Sequence, residues 1–583
     1  MCGIVGYVGY KNAAEEVYRG LTRLEYRGYD SAGVSVLGED IETVKRRGRV
    51  KEIEKDVLKL EGRAAIGHTR WATHGEASDI NAHPHASGLF SVAHNGIIEN
   101  YRELKAELQS KGYKFVSQTD SEVIVHLLNY CYCGDLTATV RAAVKRLKGS
   151  FALAILCKDF EGICAVKYKS PVILGLGEGE NYVASDAPAL CGKADKIIIP
   201  EDGDVALLTA EGITVLDGDN KAVNRDILPL ECVDSEAETG GCPHYMLKEI
   251  RECAQTVRNA CSGFYGGAES RLKELLDDAD KIIIVGCGTA YNCGLAAKRW
   301  LESAYNKDCT VEIASEARYN PPRCTSRTVA FAVSQSGETA DTIGAAETLK
   351  SAGAVVVAVT NVIYSAITRV ADVVVPVCAG AEICVAATKS YIGQLTCFYL
   401  VSRLAYGEKT DMNYIAKALE SVAFGCAEAE EIARIAVGSS AVFFLGRGAD
   451  YPVAIEGSLK LKEVSYIFSD AYPAGELKHG TLALIDENVL CVAIICDDRM
   501  KEKCENAVEQ IISRRGKVAV VTCYGDICER FSGRVAVVCK IPDAVPASFS
   551  AAVALQKIAY GAAVIKGIDP DKPRNLAKSV TVE

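Results

Sequence analysis

Two stretches of this sequence share one design. Ile282-Ile283-Ile284-Val285-Gly286-Cys287-Gly288 and Val442-Phe443-Phe444-Leu445-Gly446-Arg447-Gly448 are each a short apolar run closed by a glycine turn. An apolar run of that length, bounded by Gly, fits a strand buried on both faces of a parallel sheet. A second strand ends near Val333 in the first copy and near Ile495 in the second; a third ends near Thr360 and near Thr522. Helical patterns fill the gaps, as at 339–352, so each copy reads as a βαβ unit. Helices at 245–261 and 270–276 open this half of the chain. The expectation is two doubly wound parallel-sheet domains, at 245–425 and 426–565, followed by a tail at 566–583. The Gly-x-Gly turns are weak evidence for a nucleotide, because the Gly-x-x-Gly continuation is missing.

Residues 1–225 read differently. Eight short β-type runs recur, among them Ile4–Val8, Ala64–His68, Phe90–His94 and Phe151–Leu156, with few helical patterns between them. Many strands and few helices predict stacked sheets flanked by helices, an α+β arrangement beside the α/β second half. Val17, Leu21 and Leu24 share one helical face. Asn100-x-x-Glu103 has the form of a capping box, and Asp120 is placed to cap a helix over 121–128. The pattern breaks from 226 to 244, which predicts a linker.

The chain has 583 residues, enough for three or four domains at about 150 residues each. Its net charge of −11, with no long basic run, argues against nucleic acid as the main partner. No apolar stretch reaches the length of about 18 residues that signals a membrane span. The 24 cysteines are scattered, several within apolar runs (Cys157, Cys164, Cys491), and the chain opens without a secretory pattern. That usage predicts a reduced, cytoplasmic protein. Cys131-Tyr132-Cys133 is too tight for a zinc knuckle.

The first residues, Met1-Cys2-Gly3-Ile4-Val5-Gly6, carry chemistry. Removal of the methionine would leave Cys2 with a thiol and a free α-amine on one residue. An α-amine has a pKa of about 7.7–8.0 and can serve as base for its own side chain. The alternative is an ordinary buried Cys starting an edge strand. Five of the eight histidines lie between His68 and His94, beside Arg70-Trp71-Ala72-Thr73-His74-Gly75, Asn81-Ala82-His83-Pro84-His85 and His94-Asn95-Gly96. Plain turn chemistry is one reading, since Asn-Gly is a hairpin signal. A metal site from His74, His83, His85 and His94 is another, although no helical or knuckle spacing supports it.

These segments, with Arg23-Leu24-Glu25-Tyr26-Arg27-Gly28-Tyr29-Asp30-Ser31-Ala32-Gly33, resemble the N-terminal-nucleophile glutamine amidotransferases, and within them the isomerising glutamine:fructose-6-phosphate aminotransferase family. The resemblance implies an αββα glutaminase domain in which Cys2 attacks the glutamine amide. Asn95 and the Gly96 N–H would form the oxyanion hole. Arg70 would hold the substrate carboxylate and Asp120 its α-amine, with Thr73 and His74 lining the pocket. The chemistry fits these roles: a tetrahedral intermediate needs preorganised donors, and a carboxylate suits an Arg fork. Trp71 would gate an internal ammonia channel; free ammonium in water is no nucleophile.

In the second half, Ser334-Gln335-Ser336-Gly337-Glu338-Thr339 ends a parallel strand and opens a helix. Hydroxyls, backbone N–H groups and a helix N-terminus converge there as a phosphate cradle; a Ser/Thr-rich cap is the plainer alternative. The segment resembles the phosphosugar loop of sugar-isomerase (SIS) domains, and the repeat fits two of them. Lys460 and Glu463 share a helical face, a pair that is ordinarily solvated. His479 stands in a Gly-flanked loop, and Lys578 lies in a polar tail. By resemblance, Lys578 forms an imine with the open sugar, Glu463 moves the proton between C1 and C2, Lys460 assists, and His479, from a partner subunit of a homodimer or larger assembly, opens the ring. Thr289, Ser334, Gln335, Ser336, Thr339 and Val385 would bind the phosphosugar. Ala290, Cys384, Ala387 and Thr481 depart from the family pattern, and Thr388 could replace a hydrogen bond lost at 387.

The resemblance implies transfer of glutamine nitrogen to fructose 6-phosphate with ketose–aldose isomerisation, giving glucosamine 6-phosphate and glutamate, with no metal and no organic cofactor. The rivals are the same glutaminase serving another phosphosugar, and a catalytically dead phosphosugar sensor. The first lacks a phosphoribosyl or pyrophosphatase motif here; against the second stand Cys2, Glu463, His479 and Lys578 together.

Overall fold

Side-chain alternation builds the first unit. In the strand Gly3–Gly9, Ile4 and Val8 point to one face, Val5 and Tyr7 to the other. That strand is central in an eight-stranded sheet, paired antiparallel with Ala64–Arg70 and with Glu180–Ala184. A seven-stranded sheet holds Phe90–Ile98, Gly149–Cys157, Phe160–Tyr168 and Val205–Leu208. Ile4, Val8 and Ile66 meet Ala93, Ala152, Ala154 and Ile163 between the sheets. Val5 and Tyr7 pack under the helix Ala13–Arg23. Phe151, Leu153 and Ile155 pack under the helices Glu122–Cys131 and Leu136–Val144. The result is the four-layer αββα sandwich. The computed structural model describes residues 2–72, 74–230, 239–267, 269–407, 409–543 and 546–581. Residues 1–236 with 579–583 form this unit, and 237–578 form the second.

The second unit contains two five-stranded sheets, each parallel throughout. The first runs in the order Asp308–Ile313, Lys281–Gly286, Thr328–Ser334, Val355–Thr360, Val373–Pro376. The second repeats that order with Ser469–Pro473, Ala441–Gly446, Val489–Ile495, Lys517–Thr522, Val537–Lys540. Helices cover both faces, and one continuous core joins Ile282, Phe331 and Val357 of the first sheet to Val442, Val492 and Val521 of the second.

Several local expectations change. Ile227–Pro229, placed in the linker, pairs with Lys196–Ile198 as an edge strand, because Leu228 and Leu230 pack on the sheet; residues 231–238 lie outside the described residues. The Asn100 side chain caps no helix and instead bonds Arg146 O and Lys148 N. Asp120 is likewise no cap; it accepts the Ile98 N–H at 2.8 Å. The helix Ser548–Ile565 is long and apolar enough to cross a membrane by length and composition alone. It is mostly buried as a core helix, where Gln556 donates to Thr388 O at 3.1 Å.

Candidate active site

Cys2 stands at the start of the central strand of its sheet, beside the end of Ala64–Arg70. Its Sγ accepts the Trp71 N–H at 3.3 Å and lies 3.6 Å from Trp71 O. Burial pushes the thiol pKa up, while the chain's terminal ammonium, the Trp71 N–H and Arg70 pull it down. A base is therefore needed to produce the thiolate. Asn95 Nδ2 donates to Cys2 O at 3.0 Å, which brings an amide donor to the nucleophile. Asn95 and Gly96 lie within the strand Phe90–Ile98, opposite Ala152 and Phe151, so the Asn-Gly pair makes no hairpin. Gly96 has φ +133°, and a Cβ there would come within 1.9 Å of Ser150 O. No other residue fits that position.

The rest of the expected glutamine pocket surrounds this pair. Arg70 donates to the carbonyls of His74, Gly75 and Glu76 and so folds the loop around itself. Asp120 lies 3.9 Å from His74 Nδ1. Asp30, which the sequence reading gave no role, accepts the Ala72 N–H at 2.9 Å. Thr73 lies outside the described residues. Trp71 is half-buried, its indole edge-on to Tyr29 at 6.2 Å.

The histidines form a stack rather than a ligand set. His68 and His83 lie face to face at 4.2 Å, with His85 and His94 against His83. His94 Nδ1 bonds Ser121 Oγ at 2.7 Å and His85 Nε2 bonds Thr119 Oγ1 at 3.0 Å. Among the described residues no three His, Cys, Asp or Glu side chains converge as metal ligands. Burial is the largest influence on all four rings and lowers each pKa, that of His68 to about 3. A folded pKa below the unfolded value of about 6.5 gives stability that is complete above 6.5 and lost as pH falls. For His68 alone this should cost the fold about 1 kcal/mol between pH 7 and 5.5, and the other three rings add in the same direction. With Trp300→Phe leaving Trp71 as the only tryptophan reporter, the urea midpoint should fall over that range. A constant midpoint would mean that the stack is protonated or solvated.

In the second unit Lys460 is fully buried, which overrides the solvated reading of its helix face. Its Nζ lies 2.6 Å from Glu463, 3.0 Å from Thr289 Oγ1 and 3.5 Å from Glu456. Burial alone would lower its pKa, but Glu463 and Glu456 outweigh it and keep the amine charged. Lys460 is thus suited to holding Glu463 and polarising oxygen, not to nucleophilic attack. Lys578 Nζ donates to Glu382 and, at 2.8 Å, to Cys384 O. Glu382 is buried and also accepts from Thr388 N, Ser390 N and Ser390 Oγ. Burial would raise this carboxyl, yet the Lys578 ammonium holds it at about 2. Glu249 accepts from Ile383 N and Cys384 N, and burial with repulsion from Glu382 pushes it to about 8. Thr388 Oγ1 donates to Glu249 Oε2, 3.4 Å away.

The Ser334–Thr339 segment ends the strand Thr328–Ser334 and precedes the helix Ala340–Ser351. Ser334 Oγ meets Thr339 Oγ1 at 2.9 Å and accepts Gly337 N–H at 3.0 Å, and Ser336 Oγ accepts Glu338 N–H at 3.2 Å. Gly337 has φ +66° and Ser365 Oγ only 1.8 Å from where a Cβ would sit. Gln335 O accepts Asn361 N–H at 3.1 Å. Thr289 begins the helix Thr289–Tyr305, which follows the strand Lys281–Gly286, but its hydroxyl turns to Glu456 and Lys460. Val385 is buried, its N–H on Asp571 O. His479 is exposed and makes no hydrogen bond to the described residues, so the structure does not join it to Lys460, Glu463 or Lys578.

The sequence reading missed Glu249 and Glu382. Glu249 carried a signal: it lies on the same helical stripe as Met246, Ile250 and Cys253, a charge on an apolar face. Glu382 carried one too: it is a lone carboxylate in the otherwise apolar run Ala379–Ala387.

A glutamine amidotransferase domain model matches residues 68–191, and a SIS domain model matches 275–402 and again 437–566. The glutamine–fructose-6-phosphate aminotransferase (isomerizing) of Caldanaerobacter subterraneus subsp. tengcongensis is 42% identical over 610 residues, covering 100% of both chains. The chain belongs to this family. The Clostridium tetani member is also 42% identical, over 608 residues and 100% of both chains. The C-terminal domain of glucosamine-fructose-6-phosphate aminotransferase from Francisella tularensis superposes with a TM-score of 0.53 at 36% identity, covering 58% of this chain and 100% of that one. Family membership thus covers both the αββα unit and the tandem parallel sheets.

Proposed function

We propose that the chain hydrolyses L-glutamine at Cys2 and passes the ammonia to fructose 6-phosphate, which it isomerises to glucosamine 6-phosphate. The observation that carries this reading is Lys578: the amine of the C-terminal tail is drawn onto Glu382 and Cys384 O, in the loop that holds Val385. A lysine at that place can form an imine with an open-chain ketose. Glu463, held by Lys460, carries the C1–C2 proton, and the Ser334–Thr339 loop takes the phosphate. His479, exposed in its own chain, acts on the site of a second copy. Asn95 and Gly96 stabilise the oxyanion at Cys2; Arg70, Thr73, His74 and Asp120 hold the glutamine, and Trp71 gates the ammonia. We place the protein in the cytoplasm, a reading supported by free thiols throughout the described cysteines.

Purified protein given both substrates should release glucosamine 6-phosphate and glutamate in equal amounts. Glutamate without amino sugar would favour another acceptor. Peptide mass mapping provides an independent check on the nucleophile. The mature chain should begin at Cys2, and a glutamine-like electrophile should label Cys2 before any other of the 24 cysteines. Retained Met1, or preferential labelling elsewhere, overturns the assignment.

A further inference from the structure

His68 is a neutral, buried residue outside every role given above. Its Nε2 lies 3.0 Å from His94 O and 3.0 Å from Asn95 Oδ1. A backbone carbonyl only accepts, so Nε2 must carry the proton. The Asn95 atom facing Nε2 must then be its carbonyl oxygen. At the other end of the same amide, Cys2 O is also a pure acceptor, 3.0 Å away, which requires the amide nitrogen there. The two ends agree and fix the Asn95 amide without a free choice of flip.

We infer that His68 is the positioning residue of the oxyanion hole: its Nε2–H holds Asn95 Oδ1, so that the Asn95 NH₂ faces Cys2. One N–H of that NH₂ goes to Cys2 O, and the second remains for the oxyanion. The ring is suited to this because it never changes charge near neutral pH; burial keeps it neutral down to about 3. It cannot rotate, since His83 lies stacked on it at 4.2 Å and 18°. His83 is itself held by the His94 N–H on its Nδ1 at 3.4 Å. Nδ1 of His68 has no hydrogen-bond partner among the described residues, a cost the fold accepts beside the nucleophile. The histidine stack is thus a rigid, uncharged backing for one side-chain amide.

This inference rests on the proposed role of Asn95, and the test separates the two. In the full-length protein, His68→Leu should lower kcat for glutamine hydrolysis roughly 10- to 100-fold, less than or equal to the loss of a whole oxyanion donor. KM should stay within about threefold, because ground-state contacts to glutamine are untouched. Alkylation of Cys2 by iodoacetamide passes through no oxyanion, so its rate should hold within about twofold. His68→Gln restores a donor and should recover part of kcat; this variant also answers the case in which His68→Leu does not fold. In an Asn95→Ala background, His68→Leu should add no further loss. Full additivity, an unchanged kcat, or alkylation falling in step with kcat overturns the positioning role. If Asn95→Ala itself leaves kcat intact, it is the oxyanion reading that fails.

Discussion

Cys2→Ala is expected to cut glutamine-dependent formation of amino sugar by on the order of 10⁴-fold or more, since removing a nucleophile leaves only binding and oxyanion stabilisation. The same variant should still isomerise fructose 6-phosphate to glucose 6-phosphate at close to the wild-type rate. The two chemistries use different groups: a thiol at the start of the central strand of an antiparallel sheet, and an amine in the C-terminal tail of the second unit. The Cys2 side chain is small and only partly buried, so truncation removes one sulfur and leaves at most a small void. Coupled loss of isomerisation would mean that the nucleophile also supports the second unit. Retained glutamine use would move the nucleophile elsewhere. An isotope arm adds to this. With wild type, unlabelled glutamine and labelled ammonium, the amino sugar should carry almost no label if the ammonia never meets solvent.

The fold was legible where the pattern was long or repeated. Ile282–Gly288 and Val442–Gly448 announced two parallel sheets because buried central strands must be apolar on both faces, and both copies keep that rule. The αββα unit was legible from strand count and from the family segments. What the sequence hid were pairings set by distant partners. Glu180–Ala184, which flanks the Cys2 strand, reads Glu-Asn-Tyr-Val-Ala and carries little β pattern of its own. The Asn100 cap failed because its side chain found Arg146 O and Lys148 N across the unit. Hydrogen bonds of high sequence separation decide such positions, and a local window does not contain them.

The site follows the same division. Cys2, Arg70, Asn95 and Lys578 were legible as reactive types in recognisable segments. Their supports were not. His68 closed the strand run Ala64–His68 with no role of its own until its two acceptors were placed, and Lys460 looked solvated until Thr289 and Glu456 closed over it. A functional group can be named from its chemistry, whereas the residue that aims it is known only from geometry.

Borohydride added during turnover with fructose 6-phosphate should fix the sugar to Lys578, and the tail peptide should carry the mass of the reduced adduct. Lys578→Ala should lose both trapping and amination by at least about 10³-fold, but that variant mixes two effects. It leaves Glu382 buried without its cation and close to Glu249, and breaking a buried pair in this way costs about 3–5 kcal/mol. Lys578→Arg separates them. A guanidinium keeps the charge opposite Glu382 but stays protonated and cannot form an imine. The Arg variant should therefore keep its thermal midpoint and its glutamine hydrolysis, yet lose the adduct as completely as the Ala variant. The wild-type amine must first give up a proton. Glu382 is the carboxylate in contact with it and lies in a loop clamped by three further donors. An adduct that forms unchanged in Lys578→Arg, or on any other lysine, would remove Lys578 from the chemistry and leave it a structural ion pair.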